Sequence, residues 1–188
     1  MTFTLVGLGG SMREGSHAAA ALQEALALAR GRGAAVELLD LYMLRLPVFV
    51  PGAPVTEYDA ASRGAVERLL AAARRADALV WSSPAYHGTV SGAFKNALDF
   101  LEHLRGDDPP YLQGRAVGLM ALHDPDTFAA MASCVREFRA WLAPTRVLLT
   151  GSDFGTDGRI ATDAARRRIA RLVDDLLAFP GKHAAAAG

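Results

Sequence analysis

Nine consecutive residues near the start of the chain, Gly9-Gly10-Ser11-Met12-Arg13-Glu14-Gly15-Ser16-His17, gather two hydroxyls, a guanidinium and an imidazole. They follow a strand-like apolar run, residues 3–8, and open an alanine-rich helical stretch, residues 17–30. Backbone N–H groups and the positive end of a helix therefore converge there, which is the chemistry of anion binding. A helix end is worth only about 0.3–1 kcal/mol, whereas a hydrogen bond to a charged group is worth about 1.5–3 kcal/mol. Ser11, Arg13 and Ser16 should thus carry most of the binding, with His17 beside them. Spacing removes three rival motifs: Met12 stands where a dinucleotide fingerprint needs its third glycine, no Gly-Lys-Ser/Thr follows, and Arg13 replaces the last glycine of a nucleophile elbow. The structural alternative is a tight glycine turn with Ser16 as a helix cap.

A second stretch, Pro84-Ala85-Tyr86-His87-Gly88-Thr89, follows the third apolar run. Pro84 stiffens the chain, Gly88 permits close backbone approach, and Tyr86 offers an apolar face with a polar tip. These features suit a planar heterocycle read by backbone N–H and C=O groups. Lys95 and Asp99, one helical turn apart further on, read as an exposed pair.

Two stretches of this kind act together only if the fold brings them to one crevice. Strand-like runs at residues 3–8, 35–39, 77–82, 116–122 and 146–150 alternate with helical stretches at 17–30, 58–75, 92–104, 127–142 and 159–178. Residues 42–57 hold Pro47, Pro51, Pro54 and Gly52, which forbid a regular helix or a central strand and predict a long loop. Near-continuous apolar strands linked by helices imply a parallel sheet covered on both faces. Five strands suit a flavodoxin-like α/β three-layer sandwich of strand order 2-1-3-4-5, in which ligands sit beyond the strand C-termini between strands 1 and 3. Residues 1–179 are expected to form this domain, and 180–188 a short tail.

With 188 residues, 51% of them apolar, the chain has the composition of one globular domain. Twenty basic and twenty acidic residues cancel, which leaves no electrostatic footprint for nucleic acid or an anionic membrane. A single cysteine, Cys134, makes no disulfide within the chain and reads as a small packed side chain, so a cytoplasmic setting is expected. The first eight residues are unlike a signal peptide, and no apolar stretch is long enough to span a membrane. The histidines lack metal-ligand spacing, so no metal is expected. Trp81 and Trp141 read as core residues, and Arg166, Arg167, Arg168 and Arg171 as a solvated helix face.

Gly10 to Ser16 as Gly-Ser-x-Arg-x-x-Ser, Pro84 to Thr89 as Pro-x-Tyr-x-Gly-Thr, and Gly92 to Asp99 as Gly-x-Phe-Lys-Asn-Ala-Leu-Asp occur in that order. Together with Asp40-Leu41 and Leu46-Pro47, they resemble the NAD(P)H-dependent FMN reductase family, flavodoxin-like proteins that include quinone, azo-dye and chromate reductases. The resemblance implies FMN as cofactor, its phosphate at Ser11, Arg13, Ser16 and His17 and its ring at Pro84, Ala85, Tyr86, His87, Gly88 and Thr89. It also implies NAD(P)H as co-substrate, a small-molecule electron acceptor such as a flavin or quinone, and a homodimer or homotetramer, for which Met43, Leu44 and Phe49 offer apolar surface. No side chain is assigned a catalytic acid or base role. The chain departs from the family pattern at His87, where asparagine is usual, at Ser91, where proline is common, and at His123-Asp124-Pro125-Asp126, where many relatives are glycine-rich. A non-enzymatic flavodoxin-type electron carrier is the alternative function, and a serine hydrolase using Ser11 a third.

Overall fold

Valine, leucine and alanine runs buried on both faces become the central strands of one sheet, in a computed structural model that describes residues 2–180. Of the expected tail, 180–188, residues 181–188 lie outside the described residues. Strands β1 (Thr4–Gly9), β2 (Ala35–Asp40), β3 (Ala78–Tyr86), β5 (Ala116–Leu122) and β6 (Trp141–Leu149) pair in parallel in the order β2-β1-β3-β5-β6. Counting parallel strands alone, this is the expected 2-1-3-4-5. A two-residue strand, β4 (Thr89–Val90), adds an antiparallel hairpin on the far end of β3, so the sheet has six strands rather than five.

The helices divide the core into two. On one face α1 (His17–Gly31) and α6 (Asp163–Ala178) bury an alanine- and leucine-rich stripe with Leu5, Val80 and Met120. Small residues matter here: a β-carbon on Gly118 of β5 would lie 2.8 Å from Leu172 Cδ1, so the glycine lets α6 lie close on the sheet. On the other face α3 (Ala60–Arg75), α4 (Gly92–Asp99) and α5 (Thr127–Glu137) cover Val6, Leu8, Trp81 and Leu119. Trp81 is fully buried as expected, edge-on to Phe94 and Phe138. At the end of the sheet away from the strand C-termini, the buried Arg115 guanidinium donates to the carbonyls of Ala76, Arg74, Gln113 and Tyr111, which satisfies its charge-bearing N–H groups locally.

Several boundaries differ from the sequence reading, each for a local reason. The helix expected to reach residue 142 stops at Glu137, because Arg139 turns through a left-handed φ of 58° and Trp141 N–H then pairs with Arg115 O. Trp141 therefore begins an edge strand and is 64% exposed, not part of the core. That edge position also accommodates Pro144, which lies where the pairing of β5 and β6 slips register. The loop at 42–57 is not wholly irregular: Leu41–Leu44 forms a single helical turn, α2, capped by Asp40, and Val55–Glu57 a 3-10 turn. The last helix begins at Asp163, four residues later than expected, since Thr162 caps it and Ile160 bridges back to Phe154. The helix expected over 92–104 is α-helical only to Asp99 and finishes as 3-10 turns.

Candidate functional site

The C-terminal ends of β1 and β3 diverge at the strand-order reversal, and both chemistry-bearing stretches emerge there. Gly9 pairs with Ser82 across the two strands, and Gly10 N–H donates to Ser82 O at 3.1 Å. Gly9 has φ of 147° and its missing β-carbon would sit 1.9 Å from Ser82 O. Only glycine allows the chain to leave the sheet so close to its neighbour. The loop then folds on itself, with Ser11 Oγ accepting from Arg13 N–H at 3.2 Å, and Ser16 Oγ accepting from Ala19 N–H as the cap of α1.

Ser16 thus fills the structural role and leaves a ligand-binding one open. It satisfies Ala19, whereas the N–H groups of His17 and Ala18, the first two of α1, have no acceptor among the described residues. Ser11 and Ser16 are buried, His17 is half-buried, and Arg13 is exposed at the rim. Ser11, Arg13, Ser16 and His17 line a cavity of about 190 Å³, whose opposite wall is Pro84, Ala85 and Tyr86 from β3, with Leu122 and His123 at its end. The two stretches therefore meet.

Ser11, Arg13 and Tyr86 are shared with a second cavity of about 400 Å³, floored by Ser91, Gly92 and Ala93 at the start of α4. Met12, Gly92 and Ala93 in turn border a third, apolar groove of about 420 Å³ walled by Leu41, Leu46 and Val48. The three therefore lie in series along shared walls, the first lined by polar donors and the last by apolar side chains. His87, Gly88 and Thr89 do not line them. His87 and Gly88 take positive φ values of 54° and 76°, as the two central residues of a two-residue hairpin turn require, and they form its exposed tip. Below this tip Ser83 Oγ donates to Pro84 O and accepts from Ser91 N–H at 3.0 Å, tying the lip to α4. Asn96 ties the long loop down in the same way, donating to Pro47 O and accepting from Phe49 N–H.

Electrostatics follow from burial and neighbours. Desolvation holds the His17 imidazole below its ordinary pKa, with Arg13 and His123 adding to the effect. Asp40, at the end of β2 under the first loop, is raised by burial despite accepting from Tyr42 N–H. The Cys134 thiol is pushed up, chiefly by burial, so it packs as expected and carries little thiolate. Lys95 and Asp99 form the expected exposed pair at 2.5 Å. Among the described residues no group of three or more metal-ligating side chains comes together, and no helix is long and apolar enough to cross a membrane.

Residues after β6, which the sequence marks only as a connection, also reach the site. Phe154, in the segment between β6 and α6, stacks on His17. Of the arginine run, Arg168 is not merely solvated but binds Asp153 at 2.9 Å, and Arg166 donates to Ile160 O, so both pin this segment. Burial alone would raise the Asp153 pKa, but Thr150 N–H, Arg168 and Thr162 Oγ1 together hold it below the ordinary carboxylate value. No pattern in residues 150–160 signalled this; the contact depends on where the sheet edge delivers them.

The model of a family described as NADPH-dependent FMN reductase matches residues 3–149. The chain is 37% identical over 99 residues to an NAD(P)H-dependent FMN reductase of Pseudomonas aeruginosa, a stretch covering 51% of this chain and 48% of that protein. It is 32% identical over 122 residues to an FMN-dependent NADPH-azoreductase of Staphylococcus saprophyticus, covering 61% of this chain and 62% of that one. The match thus spans between about half and three fifths of the length of these curated relatives. In the solved apo form of an NADH:FMN oxidoreductase the fold recurs with a TM-score of 0.70 at 19% identity, over 97% of this chain and 93% of that one. This chain belongs to the NADPH-dependent FMN reductase family.

Proposed function

We propose that this family member is an FMN-dependent NAD(P)H oxidoreductase that passes reducing equivalents to a small acceptor such as a free flavin or a quinone. One observation carries the reading: an anion cradle with unpaired backbone donors shares Ser11, Arg13 and Tyr86 with a wider cleft beside it. The fit to FMN is chemical as well as spatial. The free N–H groups of His17 and Ala18, the Ser11 and Ser16 hydroxyls and the Arg13 guanidinium suit a phosphate. The exposed Tyr86 ring and the small residues Gly92 and Ala93 leave room for a flat ring system.

Bound there, FMN would supply the hydride-accepting and hydride-donating chemistry. The chain's own part is positional. Ser11, Arg13, Ser16 and His17 would anchor the charged end, and Pro84, Ala85 and Tyr86 would set the plane of the ring. The Ser83–Ser91 hydrogen bond would keep that lip at a fixed distance from α4. The apolar groove beyond Met12 would receive the second substrate. No side chain needs to act as acid or base. An electron carrier would hold the same cofactor, but the balanced charge of this chain lacks the acidic excess such carriers use for docking. The purified protein is expected to oxidise NADH or NADPH in steady state when FMN and a quinone are supplied. Absence of turnover, with FMN bound, would favour the carrier.

A homodimer or homotetramer completes the proposal, in a cytoplasmic setting to which the single, half-buried cysteine is suited. Its surface differs from the first expectation, because Leu44 is buried and Phe49 packs edge-on against Phe100. Met43 remains 71% exposed, and Val48 at 79% and Val50 at 51% are exposed on the same segment, apolar surface of the kind that an interface covers. Light scattering at micromolar concentration should show an oligomer; a monomer alone contradicts this part.

A further inference from the structure

The first residue of α1 is held by an arrangement that the loop motif does not contain. The His17 imidazole lies flat on the Phe154 ring, with centroids 3.9 Å apart and planes within 5°. The His123 ring stands 6.3 Å from it, tilted by 48°. His17 and His123 line the cradle together with Ser11, Arg13 and Ser16. Phe154 is itself fixed: its backbone bridges to Ile160, its ring joins the core beneath α1 and α6, and Asp153 before it is bound by Arg168 and Thr162. It lies beyond the stretch that the family model matches.

A phenyl ring stacked on one face of an imidazole sets its tilt and leaves the edge, which carries both nitrogens, for other partners. The π face also favours a cation over a neutral ring. Without an anion, the surroundings oppose a charge on His17, through burial first and then Arg13 and His123. Of the other titratable groups nearby, Glu14 of the same loop accepts from the Tyr42 hydroxyl, Asp153 is engaged as described, and Tyr86 closes the opposite wall. Among the described residues no carboxylate is bonded to the His17 ring.

We propose that Phe154 and His123 are further members of the anion site, Phe154 as a positioning residue for His17, and that His17 takes up a proton from solvent as a phosphate monoester enters. This rests on the FMN reading above. An entering dianion supplies the negative charge that the free cradle lacks and reverses the balance against imidazolium. The sign follows from linkage. A group whose pKa rises on binding strengthens affinity fully below its free-state pKa, and that gain is lost, by up to about tenfold per pH unit for one proton, as pH rises from there through its bound-state pKa.

Calorimetric titration with FMN in two buffers of different ionisation enthalpy, at about pH 7.5 and so above the second phosphate pKa near 6, reads this proton directly. Uptake on the order of half a proton or more per FMN is expected. It should be absent in His17→Gln, smaller in His123→Gln and in Phe154→Leu, and absent with riboflavin. A purely structural role for Phe154 would lower thermal stability and leave the proton count unchanged. If Phe154→Leu does not fold, the His17 ring pKa in the intact protein, followed by NMR with and without FMN, must rise on binding. FMN binding without proton uptake, or with uptake unchanged in His17→Gln, overturns the inference and leaves the flavin reading standing. No FMN binding at all removes both.

Discussion

Arg13→Ala is expected to weaken FMN binding at least about tenfold without lowering the melting temperature, since one hydrogen bond to a charged group is worth roughly 1.5–3 kcal/mol. Arg13 suits the experiment because its side chain is exposed at the rim and no hydrogen bond or ion pair among the described residues uses it. Its backbone N–H, which donates to Ser11 Oγ, is retained in the variant. Ser16→Ala is the informative contrast. Ser16 caps α1 through Ala19 N–H, so its loss should cost about 1 kcal/mol of stability as well as affinity. Equilibrium titration and thermal melts of both variants check this. Unchanged FMN affinity in Arg13→Ala would move the phosphate elsewhere.

Gly9→Ala should be the most damaging single substitution near the site. A β-carbon there would lie 1.9 Å from Ser82 O and 2.9 Å from Ser82 C. Backbone, not a flexible side chain, would have to give way, and φ of 147° is unfavourable for any L side chain. The β1–β3 pairing, the Gly10 to Ser82 hydrogen bond and the start of the cradle all depend on that approach. A loss above about 3 kcal/mol is expected, a large part of the stability of an ordinary domain. Gly64→Ala in α3, where a β-carbon meets open space, should instead be neutral or stabilising by up to about 1 kcal/mol. Denaturant midpoints of the two variants separate these outcomes. A Gly9→Ala midpoint matching the parent protein would contradict the close approach.

Sheet order and the meeting of the two loops were legible because apolar runs and helical stretches alternate, and because right-handed crossovers leave few ways to connect them. Residues whose role is set by local backbone chemistry were legible too. Ser16 caps a helix, and the hairpin lip begins at Pro84 and Tyr86. What stayed hidden depends on tertiary delivery. Trp141 has the composition of a core residue, yet the turn at Arg139 places it on a sheet edge. Thr89 and Val90 pair with β3 only because His87 and Gly88 turn tightly enough to bring them back. His87, Gly88 and Thr89 carry the family-like spacing, but that spacing serves the turn while Pro84, Ala85 and Tyr86 face the cleft. Phe154 and His123 reach His17 from two separate loops, and residues that come together across more than a hundred positions leave no local pattern.

The long loop shows the same division. Its prolines mark an irregular path, and Asn96 anchors that path through Pro47 and Phe49. Phe49 turns inward edge-on against Phe100, a ring that Tyr58 also meets, so Phe49 packs against the core while Val48 and Val50 stay exposed.

Titration of the apo protein with FMN and, in parallel, with riboflavin tests the phosphate cradle most directly, because the two ligands differ only in the charged end. Saturable one-to-one binding of FMN is expected, with riboflavin weaker by about 100-fold or more, as the loss of at least two charge-assisted contacts requires. Equal affinities for the two ligands, or no binding of FMN, would contradict the account.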